Sequence, residues 1–164
     1  MSKRRLALFF ALLVLAGQQR LPAAERVAEM ENKVVGLTNS FRKSHRKPAL
    51  KLNAQLSQAA QQHALNMAAQ ETMAHELDGK TYLDRVQAAG YTGKMSGENV
   101  ATAFGKPDNA EVMVKSWKES QPHRENMLGV KYKFTEFGVG VAVSATGKYY
   151  ACQVFGAPGP PAKR

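Results

Sequence analysis

One cysteine in 164 residues, Cys152, rules out an internal disulfide, so the fold must be held by its core alone. Catalytic signatures are missing as well. There is no His-Glu-x-x-His helix and no Gly-x-Ser-x-Gly elbow, which removes the zincin and α/β-hydrolase readings. No apolar run reaches the 20 or so residues that a membrane-spanning helix needs. Acids are scarce, at 13 against 23 Lys and Arg. Internal repeats and low-complexity blocks are absent, and a chain this long fits one domain with a substantial core.

The N-terminus reads as a secretory leader. Lys3, Arg4 and Arg5 precede the apolar stretch Leu6 to Ala16, and small residues at Ala23 and Ala24 offer a cleavage site. The expected division is a signal peptide over 1–24, one domain over 25–156 and a Pro/Gly-rich tail over 157–164. An uncleaved N-terminal anchor is the alternative, and no cysteine follows the apolar stretch to carry a lipid. Removal of the leader leaves 19 basic against 13 acidic residues, a balance of +6. The densest basic run, Arg42 to Lys47, lacks interleaved aromatics and any nucleic-acid motif, so it is expected to be a solvated helix end.

Val27, Met30, Val34, Leu37 and Phe41 recur at helical spacing, and Pro48 ends that pattern. Asn53 is the expected N-cap of a second helix carrying Leu56, Ala60, His63 and Met67 on one stripe, which makes His63 a satisfied core histidine. Thr81-x-x-Asp84 reads as a capping box opening a short helix that Gly90 stops. Asp108 and Glu111 open a helix with Met113 and Trp117 on its buried face, and Pro122 begins another turn. Phe137, Val139, Val141 and Val143 alternate as a strand, and Ser144 to Gly147 supplies a turn. Tyr149 to Phe155 returns as the partner strand, with Cys152 on an apolar face as an inert buried thiol. Asn99 to Phe104 is a third strand. The pattern predicts an α+β fold: a small antiparallel sheet of about three strands flanked by helices.

Four pieces in a fixed order carry a family resemblance. They are His75, Gly97-Glu98-Asn99, Trp117-x-x-Ser120-x-x-His123-Arg124-x-Asn126, and Gly138-Val139-Gly140 running into Tyr149-Tyr150-x-x-Gln153-x-Phe155-Gly156. Spread over Val34 to Gly156, this order resembles the bacterial branch of the CAP superfamily, the cysteine-rich secretory, antigen 5 and pathogenesis-related proteins, also called SCP domains. The resemblance implies an α-β-α sandwich with a cleft lined by two histidines and two glutamates. His75, Glu98 and His123 match three of the four positions. The fourth, three residues after Trp117, is Ser120 here, and Glu119 one step earlier points about 100° away on a helix.

Two imidazoles and a carboxylate suit Zn²⁺ or another divalent metal with an open position for water. The same residues also have structural readings. His75 can cap helix carbonyls and Glu98 can bond loop amides. Arg85, Arg124, Asn126 and Gln153 are expected to be structural, with Arg124 suited to pairing with a carboxylate. With no recognisable nucleophile or base–orienter pair, the expected function is a secreted, non-catalytic module binding a small ligand, a lipid being a class that the resemblance implies. A metal-dependent hydrolase of peptides or cell-envelope material, with Glu119 as its only nearby base, is the first alternative. A basic envelope-binding adhesion module is the second. Nucleic acid is not expected as a partner.

Overall fold

The computed structural model describes residues 23–93, 95–104 and 109–159. Most of the expected leader, the Asp108 cap and the end of the tail lie outside them. Five helices and four strands follow in the order α1 (Ala23–Ser44), β1 (Lys51–Leu52), α2 (Ala54–Ala69), α3 (Tyr82–Ala88), β2 (Met95–Phe104), α4 (Asn109–Glu119), α5 (Gln121–Leu128), β3 (Glu136–Val143) and β4 (Lys148–Ala157). Ala23 and Ala24 open α1, and none of the described helices is long and apolar enough to cross a membrane.

The caps anticipated from sequence form. Leu56 N–H donates to Asn53 Oδ1 at 3.1 Å, and Thr81 and Asp84 complete a reciprocal capping box. Gly90 then takes φ +77 just past the end of α3.

The sheet runs β1-β3-β4-β2. Its three long strands are antiparallel, as the alternation predicted. A fourth strand, β1, joins β3 in parallel through only two residues, and this makes the sheet mixed. Side chains alternate across it. Phe137, Val139, Val141, Ala151 and Phe155 pack with Met30, Val34, Met113, Trp117 and Met127 from α1, α4 and α5. On the opposite face Ala142, Tyr150, Cys152 and Val154 meet Leu56, Ala60, Ala64 and Met67 of α2 and Val86 of α3. The result is the three-layer α-β-α sandwich.

Gly138 and Gly140 explain how α2 lies so near the sheet. A Cβ on Gly138 would stand 2.1 Å from the backbone of Leu56 and Ser57, and one on Gly140 would stand 2.3 Å from Gln61 N. The Gly-Val-Gly segment is therefore a helix seat. Side chains cap backbone groups along both flanks of the sheet. On β2 the carbonyls of Ser96, Glu98 and Val100 accept from Tyr82, Asn126 and Trp117. On β3, Val141 N–H donates to Glu31 and Gln61, and Gln61 Nε2 donates back to Val141 O.

Contrary to the expectation of a wholly solvated helix end, the basic run at the end of α1 is solvated except for its first residue, because Arg42 is only 3% exposed. Its Nη1 donates to Met127 O at 2.6 Å and its Nε to Pro48 O at 2.9 Å, which ties the end of α1 to the end of α5. A guanidinium carries enough donors to satisfy two backbone carbonyls while its stem packs in the core.

Candidate functional site

Glu98 sits mid-strand on β2, its side chain turned to the α2–α3 side of the sheet and almost completely buried. A buried carboxylate is costly unless it is bonded on every side. Three neighbours supply the bonds. Arg85 Nη2, from α3, lies 2.6 Å from Oε2, His75 Nδ1 lies 2.9 Å from Oε1, and the Cys152 thiol on β4 reaches Oε2 at 3.4 Å.

Arg85 in turn donates to the carbonyls of His75 and Lys80. The capping box that starts α3 thus aims its arginine at the carboxylate and at the backbone of the histidine segment together. His63, fully buried on α2, binds Ala74 O through Nε2 at 2.8 Å and pins the same segment from beneath. Its Nδ1 has no partner, so His63 is a core histidine only half satisfied.

His123 arrives from the other side. It occupies the first turn of α5, whose start is fixed by Asn99 Nδ2 donating to His123 O at 3.1 Å. Asn126 donates to Glu98 O and to Asn99 Oδ1, and Asn99 Nδ2 also reaches Gln153 Oε1. This polar web holds α5 against β2 and brings the His123 ring to 6.3 Å, centroid to centroid, from that of His75. Asn126 and Gln153 are structural, as expected. Arg124 is structural too, though it binds the backbone carbonyls of Lys118 and Glu119 and no carboxylate. Glu119 is solvent-exposed beside Lys115, at 3.7 Å, and no bond joins it to the histidines or to Glu98.

The two imidazoles are electrostatically unlike. The hydrogen bond that His75 donates to Glu98 holds the His75 pKa above its ordinary 6.5 against the opposing effect of burial. Burial, helped by the charge of His75, pushes His123 below 6.5. For Glu98, burial works to raise the pKa. The His75 hydrogen bond and the Arg85 charge outweigh it, and the carboxyl is held below its usual range. Burial and the adjacent Glu98 carboxylate push the Cys152 thiol far up, so it is a donor to Glu98 and no nucleophile.

A titration follows from this. Followed by NMR between pH 5 and 9, the His75 ring should show a midpoint above 6.5, and Glu98→Gln should bring it down. The sign for stability is that of a raised pKa. The contribution of the His75–Glu98 pair is complete below the unfolded value of 6.5 and fades as pH rises through the folded value. An unchanged midpoint in the variant would remove Glu98 as the cause.

Against known proteins, residues 35–155 match the model of the cysteine-rich secretory protein family, known as CAP. The chain belongs to the CAP family. It is 32% identical over 127 residues to YkwD of Bacillus subtilis strain 168, a match covering 76% of this chain and 47% of that protein. The chain thus spans about half the length of that relative.

An extracellular SCP-domain protein of Bacillus anthracis strain Ames superposes with a TM-score of 0.71 at 25% identity. That match covers 84% of this chain and 44% of the other. An outer surface protein of Borrelia burgdorferi shares the fold, at TM-score 0.69 and 16% identity over 85% of this chain and 97% of its own. Within this CAP domain the structure brings His75, Glu98 and His123 to one site and leaves Glu119 outside it. Sequence reasoning missed the parts played by Arg85 and Cys152. The one signal for Arg85 was its place a single turn after the Thr81 cap.

Proposed function

We propose that this CAP domain acts outside the cytoplasm as a non-catalytic binding module, taking a small ligand between His75 and His123. The carrying observation is that both oxygens of Glu98 are already used inside the protein. A carboxylate committed to Arg85, His75 and a thiol is an orienting strut. It fixes the ring of His75 through Nδ1 and leaves Nε2 for a ligand, while the His123 ring carries no partner among the described residues. With His75 inclined to keep its proton, the pair suits a ligand bearing an acceptor such as a fatty-acid carboxylate. Export is supported by the extracellular B. anthracis relative.

A metal-dependent hydrolase requires more than is here. No group of three His, Cys, Asp or Glu side chains among the described residues is arranged to hold a metal ion. A divalent ion would rest on the two imidazoles, with Glu98 orienting His75 from behind. Bound there, it would supply a Lewis acid, with no carboxylate placed as the base.

Two titrations test the reading. A fluorescent fatty acid should bind saturably and lose affinity about tenfold or more in His75→Ala and His123→Ala. His123→Ala should keep the wild-type melting curve, while His75→Ala should lower it modestly, because buried Glu98 then loses one of its bonds. Zn²⁺ added to metal-stripped protein should bind more weakly than about 1 μM, as expected for two imidazoles. Tight one-to-one zinc binding, lost in both histidine variants and in Glu98→Gln, would overturn the proposal in favour of a metal centre.

A further inference from the structure

Arg42 does more than close α1, because its anchoring gathers basic residues that lie far apart in sequence. Lys43 in the last turn of α1 and Arg46 and Lys47 just past its end follow it, all exposed. The carbonyl it grips, Met127 O, lies in the last turn of α5, and Gly129 packs beside the guanidinium before the chain continues through Lys131 and Lys133, both exposed. Helix α4 adds a sixth cation. Lys33 pairs with Glu111 at 2.5 Å and Lys118 lies over the Phe41 ring at 5.7 Å, so α1 and α4 run side by side in one direction and end together.

Helix dipoles account for Lys43 and Lys118 at their C-termini. They give no reason for Lys131 and Lys133, which are outside any helix. Two acids near this end, Glu119 and Glu125, have partners of their own. Glu119 is beside Lys115, and Glu125 accepts from Gln121. Amid the cations stands an apolar tip. Val130 is 61% exposed, next to half-buried Tyr132, over whose ring Lys131 Nζ sits at 5.2 Å.

We propose that this end of the molecule docks on an anionic lipid bilayer surface, with the lysines and Arg46 at the headgroups and Val130 entering the interface. Charge complementarity selects an anionic partner. The exposed valine, which a soluble polyanion would leave unused, selects a bilayer. The surface is separate from the histidine site and does not depend on the reading given to it.

The test is co-sedimentation of the full chain with vesicles of phosphatidylcholine alone and with about one third phosphatidylglycerol, at 0.1 and 0.5 M NaCl. The readout is the salt-sensitive part of binding, to which the N-terminal apolar run, shared by every variant, contributes equally. Each basic residue at such a surface is worth roughly fivefold in partition. Lys131→Glu with Lys133→Glu should therefore lower partition about 25-fold or more, and Arg46→Glu with Lys47→Glu should match it. Val130→Ser should weaken binding at both salt concentrations.

The control is Lys80→Glu with Lys148→Glu, of equal charge change at positions away from this end, before α3 and at the start of β4 beside the β3–β4 turn. The proposal stands if both test pairs lose binding, the control keeps it, and all melt like wild type. It falls if the control loses as much, if salt-sensitive binding to the anionic vesicles is absent, or if soluble polyphosphate binds while vesicles do not.

Discussion

Arg85→Ala should cost about 3–5 kcal/mol, measured by urea unfolding, because it leaves the Glu98 carboxylate buried without its charge partner. For a domain of this size that is a fall of roughly 10 °C or more in Tm. The pair lies almost wholly out of water at 2.6 Å, so solvent screening does little to soften the loss. The acid limb should move as well. Glu98 titrates below its ordinary value, so its contribution is present above an unfolded pKa of about 4.5 and is lost as pH falls through the folded one. Without Arg85 the carboxyl titrates higher, and acid unfolding begins at a higher pH. Arg85→Met with Glu98→Gln should recover part of the loss, since no buried charge remains. A cost under about 1 kcal/mol for Arg85→Ala would show that the carboxylate reaches water and that the strut is not structural.

Gly138→Ala combined with Gly140→Ala should abolish folding. Each added methyl would meet the backbone of α2, at 2.1 and 2.3 Å, where no side chain can swing aside. Ordinary overpacking costs about 1–3 kcal/mol per site, and relief here requires lifting a whole helix off the sheet. The expected sum, above about 4 kcal/mol, is a large share of a typical domain's stability. Near-UV circular dichroism should show lost tertiary packing. Gly36→Ala is the counter-case. Its Cβ would meet nothing within 4 Å on the exposed side of α1, and helix propensity predicts a gain of up to about 1 kcal/mol. A double variant that melts within about 1 kcal/mol of wild type would mean that α2 is not seated on those glycines.

These two cases also mark what could be read from the chain. The α1 and α2 stripes, the Asn53 and Thr81 caps and the β3–β4 hairpin are local, and local periodicity and turn chemistry reported them. So did the order of His75, Glu98 and His123, whose matching to a family needs no contact information. Strand β1 escaped because two residues in parallel pairing carry no alternation. Arg42 was misread because its partner, Met127 O, is 85 residues away. The same holds for Arg85. Its helix was foreseen, but the docking that turns it towards Glu98 depends on how α3 lies on the sheet. Cys152 was placed on the apolar face correctly, yet the carboxylate it touches comes from a strand 54 residues earlier. Long-range polar pairing has no period, so it leaves no signature in one sequence.

The side chains that cap both flanks of the sheet bear on colloidal behaviour. An open strand edge is a template on which a second copy can crystallise its own backbone, and repetition of that step grows fibres. Here Tyr82, Asn126 and Trp117 occupy three carbonyls of β2 and Gln61 occupies both groups of Val141, so a passing chain finds these positions already taken. In a protein without disulfides, three helices and a glutamine thus take over part of the protection of its strand edges against self-templating.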